Sequence, residues 1–181
     1  MTFKMERETV KNIALIGFMG TGKSAVSRYL KERWGYREID VDQRIVQMEG
    51  MPIAEIFRIQ GEEYFRDLES RVIAGIRGEN LVIPCGGGAV LRKENVENLK
   101  KISRIVLLLA TPETVLGRVR HSSDRPLLKG KMDVGHIAEL MEKRRALYEA
   151  AADIAVVTDG KTVGEVSREI VERAGLRVSL P

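Results

Sequence analysis

Short runs of strand character alternate along the chain with segments of helical periodicity. The predicted strands are short, mostly apolar stretches bounded by polar residues or glycine. They cover residues 12–17, 37–40, 81–84, 105–110 and 154–157. Most of the helical segments repeat their apolar positions every three or four residues, as the buried face of a helix does. They cover residues 24–34, 42–48, 53–59, 61–76, 94–101, 134–152 and 163–173, and a further helix begins at Thr111-Pro112.

This alternation predicts an α/β fold in which a five-stranded parallel sheet carries helices on both of its faces. Ligands of such sheets bind beyond the carboxyl ends of the strands. We therefore expect the functional residues to lie in the loops that follow the first, second and third strands.

Length and composition fit a single domain that holds its core without cross-links. The chain has 181 residues and one cysteine, Cys85, so an intrachain disulfide is impossible. One cysteine and two widely spaced histidines exclude a four-ligand zinc site, and this cysteine usage fits a reducing cytoplasm. We interpret residues 1–11 as a short N-terminal extension, because they lack the apolar stretch of a signal peptide.

Charge and hydropathy give little reason to expect a membrane or a nucleic acid as a partner. No apolar run approaches the roughly 18 residues that span a bilayer. The net charge of +4 fits a solvated surface with a slight basic excess. The basic residues are not interleaved with aromatic residues in the way that stacks single-stranded bases.

The segment Gly17–Ser24, GFMGTGKS, matches the phosphate-binding pattern G-x-x-x-x-G-K-[ST] in full. It lies between a predicted strand and a predicted helix, where glycines let backbone N–H groups turn onto phosphate oxygens and the helix N-terminus adds partial positive charge. Lys23 would reach the β- and γ-phosphates, and Ser24 would ligate Mg²⁺. The residues predicted to bind ATP here are Gly20, Thr21, Gly22, Lys23, Ser24 and Ala25.

This phosphate loop predicts a P-loop NTPase-like three-layer sandwich that binds a nucleoside triphosphate with Mg²⁺. It does not by itself separate kinases from GTPases and ATPases. The string N-K-x-D of guanine-specific switch proteins does not occur. Residues 84–88, PCGGG, stand where adenylate-type kinases carry D-G-[FY]-P-R, and the chain is too short for a helicase or a transporter ATPase.

Six strings, in order and at family-like intervals, resemble the shikimate kinase family. After the phosphate loop come D-V-D at 40–42, I-F at 56–57, G-E-E-Y-F-R-D-L-E at 61–69, G-G-G at 86–88, R-P-L-L at 125–128 and R-R-A-L-Y at 144–148. Each string is short, but together the resemblance covers residues 12–174.

The resemblance implies a single kinase domain over residues 1–181 that transfers the γ-phosphoryl group of ATP to the 3-hydroxyl of shikimate. The products would be shikimate 3-phosphate and ADP, in the pathway to chorismate and the aromatic amino acids. Residues 41–78 would form substrate-binding helices and residues 118–132 a lid. We expect a cytoplasmic monomer whose partners are ATP and shikimate, with Mg²⁺ as cofactor.

Two aspartates follow the second strand. By resemblance, Asp42 holds the hydroxyls of the substrate and would accept the proton of the attacking one, as kinase carboxylates do. The alternative for Asp42 is an N-cap of the following helix. Asp40 would support the Mg²⁺ shell through water, and its alternative is a solvent-exposed carboxylate at a strand end.

Two arginines would hold the substrate carboxylate, because the planar guanidinium pairs bidentately with carboxylates. The resemblance selects Arg66 and Arg144. The alternative for Arg66 is a surface arginine paired with Glu69, one helical turn away. Arg145 is adjacent to Arg144, so a shift of one residue would assign the role to Arg145 instead. The family spacing to Tyr148 selects Arg144.

The glycines Gly86, Gly87 and Gly88 allow a backbone approach that any Cβ atom would block. By resemblance, the Gly87 amide contacts the substrate, and all three glycines belong to the substrate site. The alternative is a plain turn. We interpret Cys85 beside them as a small buried residue.

A basic segment would form the lid, whose closure excludes water and so suppresses ATP hydrolysis. Arg125 would stabilise charge on the transferring phosphoryl group and completes the catalytic set of Lys23, Asp42 and Arg125. Arg118 or Arg120 would flank the adenine, and Lys161 would contact the base. The alternative for the segment is a solvated basic turn.

Two rival functions remain open at this point. One is another small-metabolite kinase of the same fold, for example a gluconate kinase. The other is a nucleotide-binding regulatory module without catalysis.

Overall fold

All five predicted strands are present and parallel in the computed structural model, which describes residues 11–120 and 133–176. The sheet order is β2-β3-β1-β4-β5. The strands are β1 (Ile13–Ile16), β2 (Arg37–Glu38), β3 (Leu81–Pro84), β4 (Arg104–Leu109) and β5 (Ile154–Val157). In register, Ile13 of β1 faces Val82 of β3 and Arg104 of β4. The prediction of an α/β fold with a five-stranded parallel sheet is confirmed.

Seven helices connect these strands within the described ranges. They are α1 (Lys23–Trp34), α2 (Val41–Glu49), α3 (Ile53–Ala74), α4 (Lys93–Ile102), α5 (Pro112–Val119), α6 (Val134–Ala151) and α7 (Val163–Arg173). A short 3-10 helix, Ala89–Leu91, follows the three glycines. None of these helices combines the length and apolar character that a bilayer crossing requires.

The two helices predicted over residues 53–59 and 61–76 form the single element α3, which is interrupted at Gly61. Gly61 has φ 85° and ψ 169°, a backbone conformation that interrupts a helix and that a side chain would strain. The break predicted between the two helical patterns is therefore real, although the chain continues in helical form on both sides of it.

The alternation of side chains along the strands assigns the helices to two faces. In β1, Ile13 and Leu15 point to one side, where they pack against residues of α1 and α7. Ala14 and Ile16 point to the other side, where α2, α3 and α4 contribute the core. A smaller cluster joins Phe18 to α5 and α6. The sheet and the helical layers on its two faces agree with the predicted three-layer sandwich.

Three helices begin at residues whose side chains cap them, and one of these starts was predicted. Thr111 accepts a hydrogen bond from the Thr114 N–H, with Pro112 at the first helical position of α5, as predicted. Thr162 and Glu165 form a capping box at the start of α7. Asp133, the first described residue after the gap, caps α6.

Asn12 is buried at the amino end of β1 and joins three segments. Its amide nitrogen donates to the carbonyl oxygens of Gly78 and Ile102, both at 2.9 Å. Its amide oxygen accepts from the Leu81 N–H at 2.9 Å. One side chain thus satisfies buried backbone groups before β3 and at the end of α4, and it fixes β1 against β3 at the end of the sheet opposite the phosphate loop.

Asn12→Ala should lower the free energy of unfolding by about 2–4 kcal/mol, because it leaves three backbone groups without their partner. Urea denaturation measures the change. Asn98→Ala is the control, since the Asn98 amide oxygen accepts only a surface bond from Lys101, and it should cost less than about 1 kcal/mol. Equal losses in the two variants would contradict the role given to Asn12.

Candidate active site

The phosphate loop joins β1 to α1 through glycines in left-handed conformation. Gly20 has φ 76° and Gly22 has φ 102°, values that L side chains rarely adopt. Gly22 is also the N-cap of α1, and no side chain caps this helix. The first turn of α1 therefore presents backbone N–H groups and the positive end of the helix dipole to an anion.

Side chains of the loop brace it from within. The Thr21 hydroxyl is buried and donates to the Phe18 carbonyl at 2.8 Å. The Lys23 ammonium lies back over the loop and donates to the carbonyl oxygens of Gly17 and Phe18, both at 2.8 Å. The ammonium group that the motif assigns to phosphates thus lies against the backbone of the phosphate loop.

One cavity of about 280 Å³ opens over this loop and extends along the carboxyl ends of β1 and β3. Six predicted ATP-binding residues line it, namely Gly20, Gly22, Lys23, Ser24, Ala25 and Arg118. The opposite wall comes from the loops after β2 and β3, with Asp40, Asp42, Cys85, Gly86 and Gly87. The structure therefore brings the predicted nucleotide residues and several predicted acceptor residues into one space.

Asp40 and Asp42 have different positions at the start of α2. Asp40 is the N-cap, and its carboxylate accepts from the Gln43 N–H at 2.9 Å. The alternative that made Asp42 the N-cap is wrong, because the helix begins at Val41, one residue earlier than predicted. Burial raises the pKa of the half-buried Asp40 carboxyl, and the hydrogen bond from Gln43 opposes that rise.

Each of the three glycines faces a different polar side chain of the predicted acceptor site. A Cβ atom on Gly86 would lie 3.0 Å from Asp42 Oδ1, and one on Gly87 would lie 3.6 Å from Arg144 Nη1. A Cβ atom on Gly88 would overlap the Arg66 guanidinium. None of the three has a positive φ. Gly86 and Gly88 are needed for space rather than for an unusual turn, whereas a Cβ atom on Gly87 would meet only ordinary contacts of 3.4 Å or more. The close approaches at Gly86 and Gly88 argue against the plain-turn alternative.

Arg66 is held in place by a fully buried carboxylate. Its Nη1 lies 2.8 Å from Oε2 of Glu69, and the Arg66 side chain is only 11% exposed. The expected pairing with Glu69 is present, but Arg66 is not the surface arginine of the alternative reading. Burial raises the pKa of the Glu69 carboxyl, and the positive charge of Arg66 opposes the rise.

Sequence reasoning treated Glu69 only as a partner of Arg66, whereas the structure places its carboxylate inside the site. A Cβ atom on Gly86 would lie 3.2 Å from Glu69 Oε1, next to Asp42. The signal available in the sequence was that Glu69 is the last residue of the string at 61–69.

Helix α6 directs Arg144 and Tyr148 to the same carbonyl group. Arg144 Nη1 donates to the Gly87 oxygen at 3.2 Å, and the Tyr148 hydroxyl donates to it at 2.6 Å. Residues four apart share a helix face. Arg145 lies on the outer face, where it pairs with Glu142 at 3.0 Å and Glu149 at 3.3 Å. The register that selected Arg144 therefore agrees with the structure, and Tyr148 is a site residue that the sequence analysis used only for spacing.

Of the two arginines considered for adenine, Arg118 lies against the phosphate loop. Its Nη1 donates to the Gly20 carbonyl at 3.2 Å and to the Thr158 hydroxyl at 3.0 Å. Arg120 is exposed just after α5. Lys161 lies in the loop after β5 that also contains Thr158, the partner of Arg118. Its ammonium pairs with Glu169 at 2.5 Å.

The predicted lid falls mostly outside the described residues. Arg125 and the rest of 121–132 are not among them, and residues 1–10 of the predicted extension are not either. At its start, the lid predicted from residue 118 overlaps α5, whose last residue Val119 is buried.

Comparisons with known proteins show the family of this chain. A family model described as shikimate kinase matches residues 19–174. The shikimate kinase of Persephonella marina is 44% identical over 165 residues, which cover 91% of this chain and 99% of that protein. The shikimate kinase of Geobacter metallireducens is 45% identical over 163 residues, which cover 90% of each.

Among solved structures, the shikimate kinase from Acinetobacter baumannii in complex with shikimate has a TM-score of 0.83 and 32% sequence identity. The similarity covers 92% of this chain and 93% of that one. With a family model that spans most of the sequence and relatives above 40% identity over nearly their whole length, this chain belongs to the shikimate kinase family.

Proposed function

We propose that the protein transfers the γ-phosphoryl group of ATP to the 3-hydroxyl of shikimate, giving shikimate 3-phosphate and ADP. The observation that carries this proposal is the shared cavity, with the phosphate loop on one wall and Asp42 beside the glycines on the other. Phosphoryl transfer depends mainly on placing the two reactants in line. Membership in the shikimate kinase family and the similar shikimate complex support the identity of the acceptor.

On the nucleotide side, the backbone of the phosphate loop and Lys23 bind the phosphates. Within the described ranges, no group of three or more Asp, Glu, His or Cys side chains could hold a metal ion. This fits Mg²⁺, which keeps several waters and needs only one or two protein ligands beside phosphate oxygens. Ser24 and Asp40 line the cavity next to Lys23 and would hold the ion. Mg²⁺ held there would neutralise charge on the phosphates.

On the acceptor side, Asp42 orients the attacking hydroxyl and takes its proton. The hydroxyl oxygen bonds to the γ-phosphorus while the bond from that phosphorus to the β–γ bridging oxygen breaks, and ADP leaves. Arg66 and Arg144 lie on either side of the glycines and pair with the acceptor carboxylate. The open backbone at residues 86–88 gives the acceptor room between them.

The remaining roles follow the family pattern. Arg125 would stabilise charge on the transferring group, and Arg118, already over the phosphate loop, would flank the adenine. Lys161 would contact the base after leaving Glu169. We place the reaction in the cytoplasm, with the protein acting as a monomer in the pathway to the aromatic amino acids.

An ADP-release assay over a panel of acceptors tests the function. We expect Mg²⁺-dependent turnover with shikimate and none with gluconate or with ATP alone. Turnover with gluconate but not shikimate would support the rival metabolite kinase. Tight ATP binding with no transfer to any acceptor would support a regulatory nucleotide-binding module.

Arg66→Ala should raise the dissociation constant for shikimate about 10- to 100-fold, since a hydrogen bond to a charged group contributes about 1.5–3 kcal/mol. The dissociation constant for ATP should stay within about twofold, because Arg66 lies on the acceptor side. Calorimetry measures both constants. Arg58→Ala is the matched control, as Arg58 lies on the same helix and pairs with Glu55 at the surface. Comparable weakening of ATP and shikimate by Arg66→Ala would rule out its assigned role.

Gly88→Ala should raise the KM for shikimate about tenfold or more while the protein stays folded. The new methyl group would overlap the Arg66 guanidinium, so the end of this side chain must shift and its pairing with the buried Glu69 loosens, which should also lower the unfolding temperature. Gly117→Ala is the control, because a Cβ atom there meets nothing within 4 Å. Steady-state kinetics for both substrates and thermal unfolding check the prediction, which an unchanged KM for shikimate would refute.

A further inference from the structure

Tyr148 has a hydrogen bond whose purpose the proposed reaction does not by itself explain. Its hydroxyl donates to the Gly87 carbonyl at 2.6 Å, across 61 residues of sequence. The same oxygen accepts from Arg144 Nη1 at 3.2 Å. A carbonyl oxygen has two lone pairs, so these two donors from one helix face satisfy it fully.

The phenol ring is firmly held. Tyr148 is 5% exposed and belongs to the same core cluster as Cys85, Ala89 and Leu107. Burial raises the pKa of its hydroxyl, and the nearby Arg144 charge opposes that rise. The hydroxyl therefore remains a neutral donor at physiological pH, at a fixed position beside the glycines.

The segment that it contacts needs such a fixed point. Three consecutive glycines have more backbone freedom than any other tripeptide, and ordering them costs the most conformational entropy. Because the peptide unit is planar and trans, fixing the Gly87 carbonyl toward α6 turns the N–H of Gly88 the opposite way. The two backbone groups are thus set by one hydrogen bond from outside the loop.

Tyr148 also affects what Arg144 can do. With the tyrosine hydroxyl present, the Gly87 oxygen accepts only one hydrogen bond from Arg144. The guanidinium has five N–H donors, so the others remain available for an acceptor. Without it, Arg144 becomes the only side-chain donor to that oxygen among the described residues, and the glycine backbone becomes free to turn. Both effects would move the planar guanidinium of Arg144 away from the orientation in which it pairs bidentately with a carboxylate.

We propose that Tyr148 is a positioning residue for the acceptor: it anchors the Gly87 carbonyl so that Arg144 and the glycine backbone are held ready for the acceptor carboxylate. The inference rests on the proposed function, since it assumes a carboxylated acceptor at this wall of the cavity. Tyr148 touches neither reacting group and acts through Gly87 and Arg144.

Tyr148→Phe removes the hydroxyl and keeps the ring. We expect the KM for shikimate to rise about five- to tenfold, in line with the loss of one buried hydrogen bond of about 1 kcal/mol. The KM for ATP should stay within about twofold and kcat should fall less than about threefold, because the phosphate loop and Asp42 are untouched. A merely structural hydroxyl would lower the unfolding temperature without this split.

Tyr64→Phe is the matched control. The Tyr64 hydroxyl also makes one side-chain hydrogen bond, to Glu49 at 3.1 Å. Glu49 does not line the cavity, whereas Gly87, the partner of Tyr148, does. Its loss should leave both KM values unchanged. Thermal unfolding of both variants shows whether either substitution disturbs the fold.

A double-mutant cycle with Arg144→Ala decides whether Tyr148 acts through the arginine. The kcat/KM for shikimate should fall five- to tenfold on Tyr148→Phe in the original background and less than twofold in the Arg144→Ala background. Arg144→Lys supplies a second cycle, which keeps the charge and removes the fork. The same factor in all backgrounds, or no change of KM in Tyr148→Phe, would overturn the inference alone. Absence of shikimate turnover in the unmodified protein would overturn the proposed function and the inference with it.

Discussion

The acceptor half of the proposed site depends on the absence of side chains at Gly86 and Gly88. Three polar groups from distant parts of the chain approach this backbone: Asp42 at Gly86, Arg144 at Gly87 and Arg66 at Gly88. No backbone angle demands glycine there, since none of the three has positive φ. The constraint is one of volume, because a single methyl group at residue 88 would occupy the position of a guanidinium. The glycines therefore let helices α2, α3 and α6 direct charged side chains into the space beyond β3.

Holding these charges near one another costs stability. Glu69 is fully buried, and within the described ranges its Oε1 has no hydrogen-bond partner, although Oε2 pairs with Arg66. A buried carboxylate loses its hydration, and one arginine does not necessarily compensate for that loss. A well-packed apolar pair in its place would give a protein at least as stable. The pair of Arg66 and Glu69 fixes the direction of the Arg66 guanidinium. We interpret the buried pair as lowering the stability of the fold while it orients Arg66.

How much the sequence predicted depended on the range of the interactions involved. The strands, the phosphate loop and the cap at Thr111 follow from residues close together in the chain, and all were predicted. The alternative that made Asp42 the N-cap of α2 was wrong because a pattern defines a helix start only to within a residue or two, and the cap is Asp40. Tyr148 was missed as a site residue because the contact that places it there is its hydrogen bond to Gly87, 61 residues away in the sequence. Periodicity describes only neighbouring residues and cannot show such a contact. Only the folded sheet reveals that these two residues meet.

The sheet order explains how the predicted nucleotide-binding and acceptor-binding residues come to lie side by side. Strand β1 is central, so its loop has the loop of β3 on one side and that of β4 on the other. The β3 side brings the glycines, and β2 beyond it brings Asp40 and Asp42. The β4 side leads to α5, whose Arg118 reaches Gly20 and the loop after β5. In the proposed reaction, nucleotide and acceptor would therefore extend in opposite directions from the phosphate loop, and the phosphoryl group would pass between them above β1. Each loop is carried by its own strand, so the strand order decides which of these residues meet.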